Sequence, residues 1–196
     1  MARWEPHTKE RLARAALELY SEYGYERTTV AQIAARAGLT ERTYFRHFRD
    51  KREVLFDGAH SLETTLSEAV AAAPGGASPR AALAAGLDAI GLAFQGAREQ
   101  ARTRQAVISA QQELQERELI KLASLTRVLA EALRLRGVEE TRASLLAEAG
   151  CGVFKTAFVR WVGDERPRGG ASAGEVALAA LLREGLDTLG DALARD

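Results

Sequence analysis

Apolar positions recur at intervals of three and four through most of the chain, while the strict alternation of a half-buried strand is almost absent. Leu12, Ala16, Leu19, Tyr20 and Tyr23 cover one face of a helix expected over residues 8–23, which Gly24 ends. Tyr25 then stands where a hydrophobic contact commonly follows a glycine stop. Two short helices are predicted over about 29–36 and 40–47. Thr29 opens the first of them, with Gln32 three residues later as its capping-box partner. Ile33, Ala34 and Ala37 form its apolar face, and Gly38 supplies a turn that needs positive φ. Thr40 caps the second. Asp50, partnered by Glu53, is expected to start a fourth helix that carries Val54, Leu55, Leu62 and Leu66 to about Ala73.

PGGASP at 74–79 is the clearest break in the pattern. Beyond it long helices are predicted over 80–97, 101–111, 114–136, 139–163 and 173–193, with Gly137 and the loop 164–172 as separators. A helix of about 25 residues is ~37 Å long, so this part forms a bundle larger than the N-terminal module. The expected fold is all-α, with about nine helices. A three-helix helix-turn-helix domain occupies residues 1–50, and a helical bundle occupies 51–196.

Composition changes this picture little. Apolar residues make up 46% and charged residues 28%, as in an ordinary soluble globular protein. The net charge is zero, yet residues 1–56 hold eleven Lys and Arg against eight Asp and Glu, a small basic bias. Cys151 is the single cysteine, which rules out an internal disulfide and points to a reducing cytoplasm. MARWEPHTKER lacks the apolar run of a signal peptide, and no apolar stretch approaches the ~20 residues that span a bilayer. A cytoplasmic protein with no membrane partner is expected.

The chemistry concentrates in residues 39–51. Leu39, Tyr44 and Phe48 form a supporting face, and the opposite side offers Glu41, Arg42, Thr43, Phe45, Arg46 and His47. Arg42 or Arg46 suits a bidentate contact with guanine, and Glu41 suits the amino group of cytosine. Thr29, Thr43, His47 and Lys51 lie at helix starts or flanks, where they would hold phosphates and set register. The competing reading makes both arginines solvated residues of a short surface helix. Arg3 and Trp4 fit either a minor-groove arm or a tail packed on the first helix. His7, His47 and His60 lack metal-ligand spacing, so no metal is expected.

The threonine opening the second helix, IAARAGLT, TYFRHF and the following lysine resemble the TetR family of bacterial transcriptional regulators over residues 8–56. That resemblance implies a homodimer that binds a palindromic double-stranded DNA operator, usually as a repressor, and is released by a small-molecule effector in the C-terminal domain. Many members place a tyrosine hydroxyl on a phosphate where this chain has Phe45. The contact there is expected to be apolar, against sugar or a thymine methyl. The family's dimer interface falls on segments 139–163 and 173–193. There Val176, Ala180, Leu181, Leu186 and Leu189 form a stripe that would serve equally as core. Ala149, Gly150 and Gly152 permit a close helix crossing, and Cys151 among them is expected to be a small buried hydrophobe.

Phe94, Ile108, Gln111, Leu122, Phe154, Phe158 and Trp161 are candidates for the walls of an effector pocket, and the same residues suit an ordinary core. The C-terminal half shows no paired His/Asp/Glu arrangement, metal spacing or glycine-rich phosphate loop, so neither an enzyme nor a cofactor is expected. The alternatives are a regulator without a small ligand, a nonspecific DNA-binding protein, and an all-α carrier or enzyme.

Overall fold

Caps and glycine stops divide the described residues, 7–163 and 177–194 of the computed structural model, into nine α-helices. They are α1 Thr8–Tyr23, α2 Val30–Arg36, α3 Glu41–His47, α4 Ala59–Ala72, α5 Pro79–Ala93, α6 Arg98–Ser109, α7 Gln112–Leu135, α8 Glu140–Gly163 and α9 Leu178–Leu193. A single 3-10 turn, Glu53–Phe56, lies between α3 and α4. Strands are absent among the described residues. The expected all-α order of nine helices is therefore found. Arg3, Trp4, Val176, the loop 164–172 and the start expected at 173 lie outside the described residues.

Local signals account for most boundaries. Gly24 takes φ +85° and its N–H bonds to the Tyr20 carbonyl at 3.0 Å, closing α1. Tyr25 is buried beside Tyr20, with ring centroids 5.2 Å apart. Ser78 caps α5, accepting from the Ala81 N–H at 3.2 Å, and Pro79 occupies the first turn, where its missing donor costs nothing.

One expected helix is corrected. The continuous helix from Asp50 to about Ala73 is interrupted, and α4 starts only at Ala59. Val54, Leu55 and Phe56 are all buried in one core, so this run is enclosed on every side and has no solvent face of its own. The Asp57–Gly58 pair then turns the chain, with Asp57 held by Lys9 at 2.8 Å. Asp50 does cap the segment, accepting from the N–H groups of Arg52 at 2.8 Å and Glu53 at 3.1 Å. Glu53 does not close a capping box; its carboxylate pairs with Arg117.

The chain packs as two units. The first holds residues 7–59 and 103–118 among those described, and the second holds the remainder. The division is not a single cut after residue 50, because the end of α6 and the start of α7 fill the first core. Ile108 and Leu114, each 0% exposed, join Leu12, Ala16, Ile33, Tyr44, Phe48 and Phe56. Polar ties secure the same segment. Arg104 donates to the Leu55 carbonyl at 2.7 Å and to Glu118 at 3.1 Å, with its guanidinium 5.1 Å from the centroid of Phe56. Its burial lowers its pKa, and the Glu118 carboxylate opposes that effect.

In the second unit α5, α8 and α9 surround a core that includes Leu83, Ile90, Phe154, Leu181 and Leu182. Glycines set the helix separations. A Cβ added at Gly91 would lie 2.6 Å from the Ala179 Cα, and one at Gly150 would meet Leu83 at 2.6 Å. Of the small residues expected to allow a close crossing, Gly150 makes room for the Leu83 and Leu129 side chains, whereas Gly152 faces open space. Cys151 is buried, with its thiol 3.9 Å from the Leu122 carbonyl.

Candidate nucleic-acid interface

The apolar side of α3 is held in the core of the first unit. Thr29 and Gln32 form a full capping box at the start of α2: the Thr29 N–H donates to Gln32 Oε1 at 2.8 Å, and the Gln32 N–H returns a bond to Thr29 Oγ1 at 3.3 Å. Gly38 takes φ +66° at the turn, and Arg11 from α1 donates to the preceding Ala37 carbonyl at 2.6 Å. Thr40 caps α3, accepting from the Thr43 N–H at 3.2 Å. Tyr44 is fully buried and Phe48 nearly so, with Leu39 half-buried beside them. The Tyr44 hydroxyl donates to the Asp50 carbonyl at 3.0 Å. Burial, reinforced by Asp50 and Glu53, raises the Tyr44 pKa, so this donor keeps its proton.

The opposite side of α3 is open. Glu41, Arg42, Phe45 and Arg46 are exposed, whereas Thr43 and His47 are half-buried along one flank. With ~100° per residue, Arg46 points about 180° away from the mean direction of Tyr44 and Phe48. Arg42 and Arg46 have no hydrogen-bond or ion-pair partner among the described residues, so ten N–H donors on two guanidinium groups remain available. The Thr43 hydroxyl shares a 3.1 Å hydrogen bond with Thr40. His47 Nε2 is enclosed without a hydrogen-bond partner. Burial first, then Arg46 and Lys9, hold its pKa below the ordinary histidine value, with Asp57 opposing, so the imidazole is neutral at pH 7.

Two of the expected phosphate residues are already engaged. Lys51 donates to the carbonyls of Tyr25 at 3.0 Å and Glu26 at 3.4 Å, with its ammonium 4.1 Å from the Tyr25 ring centroid. Tyr20 in turn donates to the Lys51 carbonyl at 2.5 Å. The Thr29 hydroxyl is committed to Gln32. Both residues shape the edge beside α3 as well as lying on it. Arg11 and the hydroxyl of Tyr20 have positioning roles that the sequence pattern did not reveal, because each acts on a carbonyl at least 26 residues away.

The expected pocket residues separate. Ile108 is buried in the first unit, and Gln111 is half-buried at the turn that joins α6 to α7. In the second unit Phe94, Phe154, Phe158 and Trp161 come together, with successive ring centroids 5.5–6.4 Å apart. Leu122 packs against the same core. A cleft of about 330 Å³ opens elsewhere in this unit, lined by Ser67, Ala71, Gly75, Ala132, Leu135 and Arg136. Of the stripe on the last helix, Leu181 and Leu186 are buried within the unit and Leu189 packs against its core, while Ala180 is exposed.

Residues 12–57 match the model for "bacterial regulatory proteins, tetR family", spanning α1 through the 3-10 turn. The HTH-type transcriptional regulator TcmR of Streptomyces glaucescens is 37% identical over 83 residues. Over residues 12–57 the chain is similar to the TetR family. The TcmR match covers 42% of this chain and 37% of that relative's length. Regulators of known structure share this fold. The fatty acid degradation regulator FadR from Bacillus halodurans superposes with a TM-score of 0.65 at 16% identity, covering 95% of this chain and 96% of that one. FadR from Bacillus subtilis, in complex with stearoyl-CoA, gives 0.61 at 19% identity, covering 92% and 96%. No described helix is long and apolar enough to cross a membrane, and no described group of His, Cys, Asp or Glu is placed to hold a metal.

Proposed function

We propose that the chain is a sequence-specific DNA-binding transcriptional regulator. It acts as a homodimeric repressor on a palindromic operator and is released by a small-molecule effector. The observation that carries this reading is α3: a capped, rigidly backed helix that presents two unpartnered arginines away from its core. Arg42 and Arg46 read guanine edges and Glu41 reads a cytosine amino group. Thr29, Thr43, His47 and the remaining donor of Lys51 set register on phosphates. The match of residues 12–57 to the tetR-family model, which spans this segment, supports the assignment.

Dimerisation places two copies of α3 roughly 34–36 Å apart on one face of the duplex. Since Leu181 and Leu186 are spent within the chain, the partner-facing surface lies on the exposed sides of α8 and α9. There Leu145 and Val159 are 67% and 62% exposed. The second unit carries dimerisation and effector binding, and the first carries DNA contact. For the effector site we propose the aromatic group of Phe94, Phe154, Phe158 and Trp161 with Leu122. It is an apolar, adjustable wall in a fold whose Bacillus subtilis relative holds stearoyl-CoA. A ligand acts there by binding more tightly to the dimer whose α3 helices are wrongly spaced.

Duplexes selected from a random library by the full-length protein, titrated with salt against scrambled duplexes, test the reading. A preference of ~10³ or more is expected at physiological salt. Arg46→Ala should relax it by about 1–3 kcal/mol at one base position. Binding that depends on salt alone, with no preferred duplex, would refute sequence-specific regulation.

A further inference from the structure

Phe45 is the only large apolar side chain on the open side of α3, and nothing in the support of the helix requires it there. It is 54% exposed. Its ring meets Tyr44 edge-on, at 5.7 Å between centroids and 82° between planes. Tyr44 is immobilised in turn by complete burial and by its bond to the Asp50 carbonyl. The phenyl group is therefore an oriented apolar surface displayed beside two cations. With ~100° per residue it stands about 60° from Arg42 and about 100° from Arg46, on the same open side.

A phenyl ring gains nothing from a phosphate anion, because it has no donor to offer. In the major groove the base edges present donors, acceptors and a single apolar group, the C5-methyl of thymine. We propose that Phe45 is a specificity-determining residue that reads the C5-methyl of one thymine in each operator half-site, next to the bases bonded by Arg42 or Arg46. This rests on the reading of α3 as the DNA-contacting helix. It adds to the operator a thymine that none of the charged residues would select.

The test uses duplexes selected from random sequence by the full-length protein. Each thymine is replaced singly by deoxyuridine, which keeps the pairing and deletes only the methyl. One thymine per half-site should then show binding weakened about fourfold, the effect of one buried carbon, and about fifteenfold when both half-sites are changed. Phe45→Ala should abolish that sensitivity, while Phe45→Leu, which keeps an apolar contact, should retain part of it. Far-UV circular dichroism and the thermal midpoint, both expected to be unchanged, show that the variants fold. A wild-type protein indifferent to every uridine, or a sensitivity that persists undiminished in Phe45→Ala, overturns the proposal and leaves sequence-specific binding standing. Failure to select any preferred duplex overturns the DNA-reading assignment instead.

Discussion

Replacing Ile108 with alanine should loosen the N-terminal unit although the residue lies far from it in sequence. Ile108 is 0% exposed and packs in the core that contains Leu12, Tyr44 and Phe48. The substitution removes three carbons, about 2.4 kcal/mol at ~0.8 kcal/mol each. A partly relaxed cavity adds to this, within the ~2–5 kcal/mol range for such truncations. Native-state hydrogen exchange on the full chain reads the effect helix by helix. Protection of the α1 amides should fall at least ~30-fold, the equivalent of about 2 kcal/mol, and that of α8 should fall much less. Loss confined to α8 would refute the placement of Ile108. Equal loss in both helices would refute the division into two separately stabilised units.

Three further outcomes follow from the same contacts. Lys51→Ala removes two carbonyl bonds and the contact with Tyr25, so it should lower stability by about 1–3 kcal/mol without DNA. A urea melt that is unchanged beside weakened duplex binding would show that Lys51 serves phosphate alone. His47 binds its proton less readily when folded than at its unfolded value of about 6.5, so the unfolded chain takes up the proton first. Stability is therefore full above that pH and declines as the pH falls toward the lower folded value; His47→Gln should flatten this limb in melts between pH 7.5 and 5. Gly91→Ala drives a Cβ to 2.6 Å from the Ala179 backbone, so α5 and α9 must separate. The thermal midpoint should fall, with a cost of about 1–3 kcal/mol, and an unchanged midpoint would contradict the crossing.

The N-terminal helices were legible because their determinants are local. Thr29 and Gln32, Thr40 and Thr43, and Gly24 each act within four residues, and the face of Leu39, Tyr44 and Phe48 follows from helical spacing. The break before α4 was legible in principle, since Asp57–Gly58 is a turn signal. The apolar run Val54–Phe56 concealed it by resembling a continuing helix. Ile108 looked like a pocket wall because its burial is visible in sequence and its partners are not. Whether a buried residue serves one core or another depends on contacts across dozens of residues, which periodicity does not encode. The aromatic group was legible as pocket candidates but not as mutual contacts: Phe94 lies far in sequence from Phe154 and Phe158, and only the crossing of α5 and α8 brings them together.

The return of residues 103–118 to the first unit also fixes the order in which the protein can be made. During synthesis α1 to α3 leave the ribosome early, but the cavity that Ile108 and Leu114 fill stays open until Glu118 has followed, and residues 60–102 must be translated in between. At ~5–20 residues per second that wait lasts several seconds, with apolar surface uncovered throughout. A fragment ending at Ala59 would remain in that state permanently: it would keep α3 and its arginines, but lack the segment that closes the core beneath them.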